Sequence, residues 1–160
     1  MNTSTTAAMN KSRPLAAIFW GGLIAGTLDI TYALTASALR GIGPVRILQS
    51  VASGLLGADS YNGGFATAAL GTVLHFTIAF VLAALYFLVS RKLDLLVRRP
   101  VICGLLYGIA IYLTMNLVVL PLSAFPHKVT FVPVLLISGL LIHMFGIGLP
   151  IALATRRYSS

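Results

Sequence analysis

Asp29, His75, Asn116 and His143 are the strong polar groups that fall inside long apolar runs of this 160-residue chain. A charge or an imidazole at bilayer depth is costly and normally faces other helices rather than lipid. Depth follows from a helical rise of about 1.5 Å per residue, counted from one end of each run. Asp29 lies 14 residues from Leu15, His75 lies 14 from Val89 and Asn116 lies 15 from Val101, so all three fall about 21 to 22 Å in. His143, 11 residues from Ala154, falls about 16 Å in, roughly one turn lower. Buried polar groups need partners, and the simplest arrangement is an Asp29–His75–Asn116 network with Tyr32, Tyr112 and His143 nearby. A carboxylate beside an imidazole can exchange protons, so the chemistry is that of a module handling a proton or a small solute. The structural alternative is a network that fixes helix register, at about 0.6 kcal/mol per interhelical hydrogen bond.

A second chemistry is redox. His75 and His143 are two imidazoles on neighbouring runs that could ligate one haem b or, with Asp29, a metal ion. No C-x-x-C-H attachment motif, H-E-x-x-H, phosphate loop or nucleophile elbow accompanies them. The expectation is therefore no cofactor, no metal and no catalytic residue, with bis-His haem as the alternative. The lone cysteine, Cys103, reads as a small packing residue.

The helices that must position these groups are written in the hydropathy. Hydrophobic residues make up 58% of the chain and charged residues 9%, against about a quarter charged in a soluble domain, which argues against a soluble enzyme. Four runs reach the roughly 20 apolar residues that span hydrocarbon: 15–39, 66–89, 101–120 and 131–154. Barrel strands would be shorter and would alternate. The prediction is a single all-α membrane domain over 1–160, a four-helix transmembrane bundle with a polar tail at 1–14. Small residues flank each polar group at helical spacing: Gly22, Ala25, Gly26 and Ala33 around Asp29, Gly71 and Ala79 around His75, Gly139 and Gly146 around His143. Gly22-x-x-x-Gly26 and Gly104-x-x-x-Gly108 let backbones approach closely, and such faces could also serve a homo-oligomer or a membrane-protein partner.

Between the first two runs, Pro44–Leu56 carries apolar Ile47, Leu48, Val51 and Leu55 on one helical stripe, with Arg46, Gln49, Ser50 and Ser53 mainly opposite. Thirteen residues make about 20 Å of helix, too short to cross. This is an amphipathic helix on the outer leaflet or a re-entrant lid over the bundle mouth. Gly57 ends it and Asp59–Gly64 reads as a turn.

The chain carries eleven Lys and Arg against three Asp and Glu, a net charge of +8. If the N-terminus is cytoplasmic, Lys11, Arg13, Arg91, Lys92, Arg98, Arg99, Arg156 and Arg157 lie inside, and Arg40, Arg46 and Lys128 lie outside. Eight against three places both termini in the cytoplasm. The charge serves topology and headgroup contact, with Arg40 and Arg46 on the outer side. No basic stretch carries a nucleic-acid motif. The first run is too long for a signal-peptide core and contains Asp29, so it reads as a retained helix. His127, in the second outer loop, could sense external pH.

Gly21–Asp29 (GGLIAGTLD), Gly71–Phe76 (GTVLHF) and Tyr107–Pro121 (YGIAIYLTMNLVVLP) resemble small proteobacterial inner-membrane proteins of unknown function, distantly the YagU-like group. The resemblance covers the four spans and implies a multi-pass inner-membrane location but no reaction. That group carries a longer insert between its first helices. The chain is also similar to small multidrug exporters in having four helices and one acid in the first, where Asp29 matches by role. Those exporters use Glu and form antiparallel dimers, whereas eight-to-three loop charges favour one orientation.

Overall fold

The computed structural model describes residues 13–127 and 133–159, and the described chain is helical throughout. The sequence elements are α1 (Pro14–Ala38), α2 (Pro44–Leu56), α3 (Gly64–Ser90), α4 (Leu95–Arg98), α5 (Pro100–Leu122) and α6 (Pro133–Ser159). Each of α1, α2, α5 and α6 opens on a proline, where the missing N–H is no loss and φ is already helical. Among the described residues, α1, α3, α5 and α6 are long and apolar enough to cross a membrane, which suits a multi-pass membrane protein. The polar tail, Lys11, Lys128 and the start of the fourth run lie outside the described residues.

Helix α1 packs against α3 on one side and α6 on the other, and α5 packs against α6. Both ends of the described chain meet, since the Arg13 N–H donates to the Tyr158 carbonyl at 2.7 Å. We call this the terminal end and the opposite one the α2 end. Ala25, Ala83, Tyr86, Ile111, Ile147, Ile151 and Ala152 form the core, with Ala83, Tyr86, Ile151 and Ala152 toward the terminal end. There the Tyr107 hydroxyl donates to Leu82 O of α3 at 2.8 Å, and Tyr86 donates to Leu96 O at 3.2 Å.

The two Gly-x-x-x-Gly faces are filled inside the chain. A Cβ on Gly26 would stand 2.8 Å from the Phe76 ring, and one on Gly104 would stand 2.9 Å from the Gly148 carbonyl. One on Gly108 would collide with the His143 carbonyl and one on Gly22 with Phe80. These faces hold α1 on α3 and α5 on α6, so they are not open to a second copy.

The helix at Pro44–Leu56 has the expected bounds, and the structure adds which of its faces packs on protein. Gln49, Ala52 and Ser53 are buried, whereas Leu55 is 62% exposed. The polar side turns inward because partners wait there. Gln49 Nε2 donates to Gly64 O at 3.1 Å and to Thr67 Oγ1 at 3.3 Å, and Thr67 donates to Ser60 O at 2.6 Å. Backbones touch as well: a Cβ on Gly71 would collide with the Leu48 carbonyl. At its other edge α2 is tied to the segment after α5, where the Ala124 N–H donates to Gly54 O at 3.0 Å. Much of Asp59–Gly64, read as a turn, lies in a 3-10 helix at Gly57–Asn62, entered through Gly57 at φ 63°, a left-handed value that glycine adopts without strain.

Candidate functional site

A cavity of about 600 Å³ is lined by α1, α3, α5, α6 and one side of α2. Its walls are mostly Leu, Ile, Val, Met and Phe. Asp29, His75, Tyr112, Asn116 and His143 all line it. Mostly apolar walls with a few convergent polar groups are the usual make-up of a small-molecule site, and this volume lies in the usual range.

Small residues bring α1 and α3 close enough for Asp29 to face His75. The imidazole Nε2 lies 2.9 Å from the Gly26 carbonyl. A carbonyl can only accept, so Nε2 carries the hydrogen. Nδ1 is then the atom left facing Asp29, 4.0 Å from Oδ2, with the two side chains 13% and 23% exposed. In a neutral ring Nδ1 is a lone pair, and a carboxylate oxygen is an acceptor too. Two acceptors face each other across this gap unless a proton or another donor stands between them.

Asn116 does not complete the expected triad. It donates Nδ2–H to Tyr112 O, four residues back on its own helix, at 2.8 Å. The reason is local: 115–119 is a π-helical stretch of α5, with backbone pairing shifted to the residue five back, and the side chain takes up the carbonyl four back. His143 repeats the device within the π stretch 142–148 of α6, donating Nδ1–H to Gly139 O at 2.8 Å. Its ring meets Tyr112 edge to face, 5.2 Å between centroids. Such widened turns recur at functional sites. Here two of them carry cavity residues.

Tyr32 stands beside the cavity rather than in its wall, and donates to Ser138 Oγ at 2.6 Å, which in turn donates to Val134 O at 2.7 Å. Ser138 escaped the sequence reading. The depth arithmetic could have found it, since it lies 16 residues from Ala154 and Tyr32 lies 17 from Leu15. Both histidines engage a backbone carbonyl, so neither presents an uncommitted pair of ring nitrogens. Among the described residues no group of three His, Cys, Asp or Glu side chains is placed to hold a metal ion.

Of the residues expected at the headgroups, Arg40 is exposed and Arg46 stacks its guanidinium 4.5 Å over the Tyr61 ring. His127 lies 6.1 Å from that same ring, measured between centroids, and 5.6 Å from the Phe125 ring. The charged residues of the α3–α5 connection lie at the terminal end, where Arg98 pairs with Asp94 at 3.5 Å in full solvent exposure, a contact of little energetic weight.

Comparison with known protein families, curated proteins and solved structures finds no match to this chain.

Proposed function

We propose that this chain is a four-helix inner-membrane protein with cytoplasmic termini. In this reading it binds or moves a small, mainly apolar solute in the cavity beneath α2, with Asp29 and His75 as a proton-responsive anchor. The observation that carries the reading is the pair itself: Oδ2 and Nδ1 face each other 4.0 Å apart on the wall of a cavity of about 600 Å³. A purely structural role would satisfy both groups within the helices, as happens at Asn116. The positive charge at the terminal end supports the orientation, which puts the cavity toward the outer leaflet and makes α2 its lid. The resemblance to the YagU-like group assigns no reaction and adds nothing at this site.

Labelling with dicyclohexylcarbodiimide tests the proposal. This apolar reagent reacts with protonated carboxyl groups. In phosphatidylcholine nanodiscs it should modify Asp29, and His75→Gln should change the extent of labelling. Ala79→Phe, which fills the cavity wall, should abolish labelling. An Asp29 that stays unmodified, in folded protein, would leave only helix packing for the polar layer.

A further inference from the structure

We propose that the cavity's ligand is an amphiphilic amine whose protonated nitrogen sits between Asp29 and His75; this rests on the cavity being the functional site. The argument is an inventory of hydrogens. His75 uses Nε2–H on Gly26 O and His143 uses Nδ1–H on Gly139 O. Ser50 gives its hydroxyl hydrogen to Ile47 O at 2.7 Å, and Ser123 gives its own to Leu120 O at 2.8 Å. What these groups leave toward the cavity is lone pairs: His75 Nδ1, His143 Nε2 and the Ser50 oxygen, while the Ser123 oxygen already accepts from the Phe125 N–H at 3.2 Å. Asp29 adds two more acceptors and the formal negative charge, and among the described residues no Lys or Arg lines the wall. Asn116 keeps one N–H and its oxygen, and the Tyr112 hydroxyl can give or take. The polar atoms of the cavity are therefore predominantly acceptors.

A ligand that satisfies acceptors must bring donors, and one that stands against a carboxylate in an apolar chamber should bring positive charge. A primary ammonium does both. A nitrogen about 2.9 Å from each of two acceptors 4.0 Å apart sees them at an angle of about 90°, close enough to tetrahedral N–H directions for two good hydrogen bonds. Its third N–H remains for another acceptor. A quaternary ammonium brings the charge without the hydrogens, an alcohol brings one hydrogen without the charge, and an anion finds no counter-charge. The apolar walls on α3, α5 and α2 then take the body of the molecule. The same headgroup chemistry occurs in a free alkylamine and in phosphatidylethanolamine.

Saturable binding of radiolabelled dodecylamine to the full chain, in phosphatidylcholine nanodiscs and against protein-free discs, tests this. Unlabelled dodecylamine should compete at least tenfold better than dodecyltrimethylammonium or dodecanol. Asp29→Asn should weaken binding at least tenfold. His75→Gln, whose amide nitrogen can keep the bond to Gly26 O while removing the Nδ1 acceptor, should weaken it at least threefold without unfolding the protein. Exchanging half the lipid for phosphatidylethanolamine separates the sources: competition assigns the ammonium to the lipid headgroup, and unchanged binding assigns it to a free amine. Equal competition by all three dodecyl compounds overturns the ammonium assignment while leaving the cavity a binding site. Saturable binding of none of them, together with an Asp29 that carbodiimide does not reach, overturns both.

Discussion

His75 shows how one hydrogen bond fixes a chemical role. Because Nε2–H is held by Gly26 O, the ring cannot turn Nδ1 away from Asp29 without losing a bond between α3 and α1. Substitutions separate the two jobs of this ring. His75→Gln should keep the bond and leave unfolding free energy in mixed micelles within about 0.5 kcal/mol of wild type. His75→Phe leaves the Gly26 carbonyl without its partner and should cost about 0.6 to 1.7 kcal/mol, the measured span for such bonds in membrane helices. Equal stability of the two variants would show that the bond contributes nothing. At this scale the sequence was informative about position and poor about connection. Depth counting set Asp29, His75 and Asn116 at one level with His143 a turn below, and the structure lines one cavity with these four and Tyr112. It could not show that Asn116 turns to its own helix, because the choice of partner depends on a π turn that hydropathy does not record. Tyr32 found Ser138 instead of the acid layer, since a serine is too weakly polar to stand out in a count of charged and amide groups.

At the scale of elements, apolar length gave the four long helices to within a few residues, because the cost of an unsatisfied backbone in lipid leaves little choice. The face that α2 buries was not legible. An amphipathic stripe sets Ile47, Leu48, Val51 and Leu55 on one face, but it does not say that the opposite face, with Gln49 and Ser53, packs on protein. A polar side is the buried one wherever a neighbour supplies its hydrogen bonds, and here Gly64 and Thr67 supply them. Gly71 is what allows the approach, as its missing side chain makes room for the Leu48 carbonyl. Gly71→Ala should therefore push α2 off α3. With Cys103→Ser as background and a reporter cysteine at Ser53, which is fully buried, maleimide labelling should accelerate at least tenfold in Gly71→Ala. An unchanged rate would mean that α2 is held elsewhere. Gly108→Val acts on a different contact, the α5–α6 seam, where overpacking should cost about 1 to 3 kcal/mol and leave the Ser53 reporter protected.

At the scale of the molecule, the two halves of the helical body differ. Tyr86, Tyr107 and Ile151 close the terminal end, with the tyrosine rings 4.9 Å apart and each hydroxyl engaged on a backbone carbonyl. The α2 end holds a cavity of about 600 Å³. A body closed at one end and hollow at the other has access from one side, and the orientation proposed from loop charge says which side that is. Cysteines placed one at a time on the Cys103→Ser background test both statements together. A reporter at Val119 or Leu120, on the cavity wall, should react with a membrane-impermeant thiosulfonate added outside right-side-out vesicles. A reporter at Ile151, buried in the core, should resist the reagent from either side. Opening Tyr86→Ala and Tyr107→Ala together should make Val119 reachable from the inside as well, because those two rings and their hydrogen bonds join α3, α4 and α5 below the cavity. Val119 labelled from the cytoplasmic side in the parent protein would reverse the orientation. Ile151 labelled there without the tyrosine changes would show that the terminal end is not the closed one.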